Sequence, residues 1–113
     1  MREDGKIDYV EMPGGDLAPL KAFYRDAFGW SFTDYGPDYV AYNEGLDGGF
    51  DGDPASRMDK PLVVLFAHDL EAMLAKVEAA GGKVVRPIFE FPGGRRFHFT
   101  DPSGNELAVW SEG

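Results

Sequence analysis

The sequence contains no cysteine, few basic residues and no long hydrophobic run. Without cysteine, the 113-residue chain has no disulfides, no thiolate metal sites and no cysteine nucleophile. Eleven basic residues stand against twenty acidic ones, for a formal net charge of −9. Because such a field repels phosphate backbones, we expect no nucleic-acid partner. No stretch approaches the length of a membrane span and the polar N-terminus does not resemble a signal peptide, so we expect no membrane partner and a cytoplasmic location.

The length and the hydrophobic content fit one ordinary domain. With 43% hydrophobic residues, the chain can bury a core without stabilisation by disulfide bonds or a structural metal ion. We interpret residues 1–113 as a single domain with two internal modules, at about residues 6–52 and 60–112.

The two modules repeat the same order of elements. Residues 7–12 and 62–66 predict the first strand of each. Asp16 and Asp69 predict N-caps, because each precedes apolar residues at the helical period. This repeat predicts an α+β fold in which two β-α-β-β-β modules form a cup-shaped curved sheet with the helices outside.

Further strands complete each module. In the first, residues 30–33 and 39–42 predict two short strands, and the glycine-rich residues 43–59 predict a fourth strand followed by a linker. In the second, residues 83–89 extend before a C-terminal hairpin.

This C-terminal hairpin carries the most distinctive surface. Residues 101–105, Asp-Pro-Ser-Gly-Asn, form a turn between two alternating strands. Because side chains alternate across a strand, one face is apolar and is expected to meet a helix. The other face has the composition of a half-open cavity wall and carries Arg96, His98, Thr100, Glu106, Ala108 and Trp110.

Three segments in this order resemble a known superfamily. They are residues 16–30, residues 69–82 and the Asp-Pro-Ser-Gly-Asn turn, and they resemble the vicinal oxygen chelate superfamily of glyoxalases, bleomycin-resistance proteins and extradiol dioxygenases. The resemblance covers residues 7–110. It implies paired modules that form a cup, a divalent metal held by His, Gln or Glu in catalytic members, and, in our interpretation, a homodimer.

The positions that the resemblance assigns to metal ligands are mostly filled by other residues. Tyr9, Leu62 and Ala108 occupy three of the four positions, and the fourth falls within residues 45–50, where only Asp47 could bind a metal. Leucine and alanine have no lone pair, and a phenol is a poor ligand for Mg²⁺, Zn²⁺ or Ni²⁺. We therefore expect no metal cofactor.

The remaining polar residues allow two kinds of catalytic site. Glu11, His98 and Glu106 all point to the predicted cup face, and they could hold a divalent metal at this non-standard position, as in a lyase, isomerase or dioxygenase. The same candidates could perform acid–base chemistry without a metal. The competing interpretation is that the two carboxylates pair with basic side chains, at Arg86, Arg95 or Arg96.

Aromatic residues give the strongest positive signal. The predicted ligand-binding residues are Tyr9, Glu11, Phe32, Tyr42, Phe66, Arg96, His98 and Trp110. For another aromatic set we predict a place in the core or in a dimer seam, namely Phe23, Phe28, Phe97 and Phe99. The sequence favours a metal-independent protein that binds an aromatic or partly cationic small molecule. A structural dimer whose cup is filled by its own side chains is a further possibility.

Overall fold

The computed structural model describes residues 2–113, which form eight strands and two helices. The chain order is β1 (Ile7–Pro13), α1 (Leu17–Phe28), β2 (Thr33–Asp34), β3 (Tyr39–Asn43), β4 (Asp47–Asp51), β5 (Leu62–Phe66), α2 (Leu70–Ala79), β6 (Lys83–Phe91), β7 (Gly94–Thr100) and β8 (Glu106–Ser111). The predicted α+β class, with strand, helix and three strands occurring twice, is confirmed. Neither helix within the described residues has the length and hydrophobicity needed to cross a membrane.

The chain divides into two compact units. The first unit is Tyr9–Leu62, and the second consists of the residues up to Asp8 together with Val63–Gly113. Each contains one helix, and each helix begins at a predicted N-cap. The Asp16 carboxylate accepts from the Ala18 amide, and the Asp69 carboxylate accepts from the Ala72 amide, which satisfies amide groups that the first helical turn leaves without a partner.

In the first unit, strand pairing places one face of the sheet against α1. β1 pairs parallel with β4, and the antiparallel pairs β4–β3 and β3–β2 extend from it. The buried cluster on the helix side is Leu17, Val40, Tyr42 and Phe50, against which Met12, Leu20, Tyr24, Trp30 and Phe32 pack. The opposite face of β1 and β3 carries the polar side chains considered below.

The second unit repeats this arrangement. β5 pairs parallel with β8, and β8–β7 and β7–β6 are antiparallel. Its core consists of Ala67, Leu70, Phe97, Phe99 and Val109, with residues of α2 packed against it. The prediction that the apolar hairpin face meets a helix is therefore confirmed, and so is the core position of Phe97 and Phe99.

One local prediction is wrong. The strand predicted at residues 30–33 is observed only as β2, at Thr33–Asp34, because Trp30 instead packs into the core with its ring 4.7 Å from that of Tyr24. Phe23 and Phe28 do not belong to the core, since they are 57% and 64% exposed, and their place in a dimer seam stays a prediction. The side of α1 that carries Leu17 and Tyr24 faces the sheet; Phe23 is rotated about 100° from Tyr24 and Phe28 lies in the last turn.

Candidate functional site

In the first unit, three side chains form a hydrogen-bonded group that we call the tyrosine–glutamate cluster: Tyr9 and Glu11 from β1 and Tyr39 from β3. The Tyr39 hydroxyl donates to Glu11 Oε2 at 2.9 Å. The Tyr9 and Tyr39 hydroxyl oxygens lie 2.5 Å apart. Because Tyr39 has one hydroxyl proton and gives it to Glu11, Tyr9 is the donor to Tyr39. Tyr9 therefore donates to Tyr39, and Tyr39 donates to Glu11; we call this direction of donation the proton order.

The cluster lies on the sheet face opposite α1, and a glycine makes room for it. Glu11 is in register with Gly49, and a Cβ atom at Gly49 would collide with the Tyr39 ring and hydroxyl. The backbone of β4 thus allows the Tyr39 ring to lie close over the sheet.

Burial keeps the tyrosines of this cluster protonated. Burial, with the nearby Glu11 charge adding to it, raises the pKa of Tyr9 to about 12. Burial and the same carboxylate also raise the pKa of Tyr39 above its ordinary value. Because the Tyr9 hydroxyl donates its only proton to Tyr39, the lone pairs of the Tyr9 oxygen remain as hydrogen-bond acceptors. The cluster can therefore accept a hydrogen bond from a donor group of a ligand.

In the second unit, His98 of β7 and Glu106 of β8 form a buried imidazole–carboxylate pair. His98 Nδ1 lies 3.0 Å from Glu106 Oε2, and the histidine is 1% exposed. Burial, together with nearby Arg96 and Arg86 charges, lowers the pKa of His98 in spite of the Glu106 carboxylate. The imidazole is therefore neutral at pH 7. Because a carboxylate only accepts, Nδ1 carries the proton and Nε2 carries a lone pair.

Nε2 of His98 has no hydrogen-bond partner among residues 2–113. Its ring lies 5.8 Å from that of Phe89 on β6. The Arg86 guanidinium lies 3.8 Å from the Phe89 ring centroid, and that of Arg96 lies 5.4 Å from it. A neutral imidazole, aromatic rings and guanidinium groups thus occur together on β6 and β7.

The other predicted site residues of the second unit pack at the end of β5 and β8. The Phe66 and Trp110 rings meet edge to face at 5.5 Å, and Trp110 Nε1 donates to Asp8 Oδ2 at 2.9 Å. Glu106 bonds His98, and Arg95 bonds Glu71 at 2.6 Å. Arg95, one of the three arginines predicted as partners for Glu11 and Glu106, therefore pairs with a different carboxylate.

The expectation that Phe32 and Tyr42 share a cavity wall with Tyr9 is also wrong. Tyr42 lies on the helix side of β3, in the buried cluster with Phe32 packed against it. Its hydroxyl donates to the Val10 carbonyl at 2.9 Å. Tyr39, which the sequence interpretation missed, lies on the opposite side of the same strand. The odd spacing between positions 39 and 42 is the signal that separates them.

The positions that the resemblance assigns to metal ligands do not fit a divalent metal. Leu62 and Ala108 are buried and have no donor atoms. The Tyr9 hydroxyl belongs to the tyrosine–glutamate cluster, and Asp47 forms a hydrogen bond with Asn43. Within residues 2–113, no group of three or more His, Asp or Glu side chains is arranged to hold a metal ion.

Two curated relatives are similar in sequence to nearly the whole of this chain. CFP32 of Mycobacterium tuberculosis, which carries a glyoxylase name, is 27% identical over 94% of this chain and 45% of its own. The anthracycline biosynthesis protein DauV of Streptomyces is 29% identical over 96% of this chain and 48% of its own. The chain thus spans about half the length of these curated relatives.

Solved structures and a family model agree on the fold. The Mn(II)-bound glyoxalase from Novosphingobium aromaticivorans is 26% identical over 99% of this chain and 40% of its own, with a TM-score of 0.67. Methylmalonyl-CoA epimerase from Mycobacterium tuberculosis has a TM-score of 0.74 at 14% identity, covering 100% of this chain and 91% of its own. The model of the Glyoxalase/Bleomycin resistance protein/Dioxygenase superfamily matches residues 6–109, so the chain belongs to that superfamily.

Proposed function

We propose that this chain is a metal-independent small-molecule-binding protein, and that its ligand is an aromatic molecule with hydroxyl or amine donor groups. The observation that carries the proposal is the tyrosine–glutamate cluster. It includes Tyr9, at a position where the resemblance implies a metal ligand, and its proton order leaves Tyr9 oxygen lone pairs as acceptors. A ligand donor can occupy this acceptor directly, without a metal ion between them.

The charge of the chain supports a ligand with donor groups. The formal net charge is −9. This charge favours a cationic or donor-rich ligand over an anionic one. The relative named for anthracycline biosynthesis makes an anthracycline a sensible first aromatic probe.

A metal-dependent enzyme is the second candidate. Its support is the likeness to a Mn(II)-bound glyoxalase and to a protein with a glyoxylase name. In this chain such an enzyme needs a relocated ligand set, with His98 as its imidazole donor. Buried Leu62 and Ala108 offer nothing to a metal at the positions that the resemblance implies.

Metal content separates the two candidates. The untagged protein is purified without chelator, measured by elemental mass spectrometry, and its apo form is titrated with Zn²⁺, Ni²⁺, Fe²⁺ and Mn²⁺. We expect no stoichiometric metal and no thermal stabilisation. Near-stoichiometric metal that is lost in His98→Ala would refute metal independence and establish the second candidate.

Ligand binding tests the role of the cluster. Calorimetry with an anthracycline, aromatic amines, phenols and matched hydrocarbons is compared in the wild type, in Tyr9→Phe and in Tyr35→Phe. We expect Tyr9→Phe to weaken donor ligands about ten-fold, because one hydrogen bond is lost. Tyr35→Phe is the control, since Tyr35 is exposed and lies in the connection between β2 and β3. Equal affinities of wild type and Tyr9→Phe would remove the cluster from the proposed site.

We also propose a homodimer as the assembly state. Sedimentation of the purified chain across a range of concentrations tests this. A monomer at all concentrations would refute it.

A further inference from the structure

The lone pair on His98 Nε2 is unusual for its surroundings. Most buried polar side-chain atoms have at least one hydrogen-bond partner, and the exceptions call for an explanation such as a missing water, an ion or a functional role. His98 is 1% exposed, and Nε2 has no partner in the described part of the chain. A buried acceptor without a partner costs free energy, so a molecule that donates a hydrogen bond to it binds more favourably.

The direction of this acceptor is set by Glu106. The carboxylate oxygen at 3.0 Å holds the proton on Nδ1 and fixes the ring orientation. A histidine held in this way offers a single lone pair in a defined direction. Rotating the ring to expose Nδ1 instead would break the hydrogen bond with Glu106.

The neighbours of His98 define the chemical class of the donor. Phe89, 5.8 Å away, offers an aromatic surface, and the Arg86 guanidinium stacks on that ring at 3.8 Å. A guanidinium repels an ammonium group but favours an oxygen that gains negative charge as it donates its proton. An aromatic hydroxyl fits these neighbours better than an amine.

We propose that His98 Nε2 accepts a hydrogen bond from the hydroxyl group of a phenolic ligand, in a subsite walled by Phe89 and Arg86. The inference rests on the proposed small-molecule-binding function and adds a subsite within the second unit. The phenol keeps its covalent bonds, and the only new interaction is O–H···Nε2. His98 is thereby a specificity-determining residue.

The strand next to His98 is irregular. Within residues 2–113, β6 pairs only with β7, and its register shifts between Val84 and Arg86 and again between Arg86 and Phe89. Pro87 within this stretch has no amide proton to donate. Bulged edge strands of this kind occur next to binding sites, where they redirect side chains.

The test compares two probes that differ in the hydroxyl group. p-Cresol donates a hydrogen bond and p-methylanisole does not, while both carry the same aromatic ring. We expect the wild type to bind p-cresol about ten-fold more tightly, as one hydrogen bond to a buried acceptor implies. In His98→Phe this preference disappears. In His68→Gln it persists, because His68 also faces a carboxylate, that of Asp4, but is exposed.

A measurement on the wild type covers the case in which His98→Phe does not fold. The Nε2 resonance of His98 is followed by nitrogen NMR during titration with each probe. We expect p-cresol to shift it, with Nδ1 still protonated, and p-methylanisole to leave it unchanged. His98→Gln serves as a second variant and is also expected to lose the preference.

Three results would overturn the inference. Equal affinity of the wild type for both probes would show that the hydroxyl group does not reach His98, and would leave the proposed binding function to the amine ligands above. A preference that survives in His98→Phe or His98→Gln would assign the hydroxyl to another residue. Binding of neither probe would exclude a phenolic ligand at this subsite.

Discussion

Replacing Tyr39 by phenylalanine removes the hydroxyl that joins Tyr9 to Glu11. Two hydrogen bonds are lost, one to a carboxylate at 2.9 Å and one between two phenols at 2.5 Å. Glu11 is a buried residue, so the lost donor is not simply replaced by bulk water. The change leaves the ring and its packing over Gly49 in place.

The two bonds differ in their expected contribution. A hydrogen bond to a charged group contributes about 1.5–3 kcal/mol and a neutral one about 0.5–1.5 kcal/mol. Tyr39→Phe is therefore expected to lower the free energy of unfolding by about 2–4 kcal/mol. For a domain of this size, that corresponds to a fall in Tm of about 8–16 °C. Tyr9→Phe removes only the neutral bond and is expected to cost about 1 kcal/mol.

Urea unfolding of the two single variants and the double variant measures these energies. In the Tyr39→Phe background, Tyr9 has already lost its partner, so Tyr9→Phe is expected to cost less than about 0.5 kcal/mol there. The exposed Tyr35→Phe control is expected to stay within about 0.5 kcal/mol of the wild type. A Tyr39→Phe cost no larger than that of Tyr9→Phe, or additive single variants, would refute the hydrogen-bonded cluster of Tyr9, Tyr39 and Glu11.

Further predictions concern the core, the sheet and alkaline pH. Phe97→Ala is expected to lower the free energy of unfolding by about 3–5 kcal/mol in urea, because the ring is fully buried; a loss below about 1 kcal/mol would contradict its core position. Gly49→Ala is expected to displace Tyr39 and to lower the urea midpoint. Gly15→Ala is the control and is expected to leave the midpoint unchanged, because its Cβ meets no atom within 4 Å. Equal midpoints of the two variants would contradict the close approach of the Tyr39 ring to Gly49. Burial raises the pKa of Tyr42 to about 12, so its contribution to stability is full below about pH 10 and is lost as the pH rises from about 10 to 12. Tyr42→Phe is expected to flatten the loss of stability over that range, and an unchanged slope would exclude Tyr42 as its source.

Sequence patterns between residues that are close together in the chain predicted most of the fold. The residues Asp16 and Asp69 placed both helix starts, because an N-cap acts within its own helical turn. Residues 62–66 are the observed bounds of β5, since a short apolar run between turn residues is a local pattern. Alternation along the hairpin also predicted which of its faces meets α2.

The candidate site was predicted only in part, because its members depend on which sheet face each short strand presents. The hydrogen bond of His98 with Glu106 joins two residues that the hairpin pattern had placed on one face. By contrast, Tyr42 was expected at the site and Tyr39 was not, although both lie on β3. A shift of one residue in strand register exchanges the two faces, and composition does not reveal that register.

The sequence by itself determined the class of fold, the repeat of its elements and the absence of donor atoms at two positions where the superfamily resemblance implies metal ligands. These follow from local propensity and from the chemistry of single side chains. Only the tertiary structure decided that Tyr9 donates through Tyr39 to Glu11 and that His98 Nε2 is buried with no hydrogen-bond partner among residues 2–113. Both arrangements depend on strand register and on side chains distant in the chain, whose positions are set by packing.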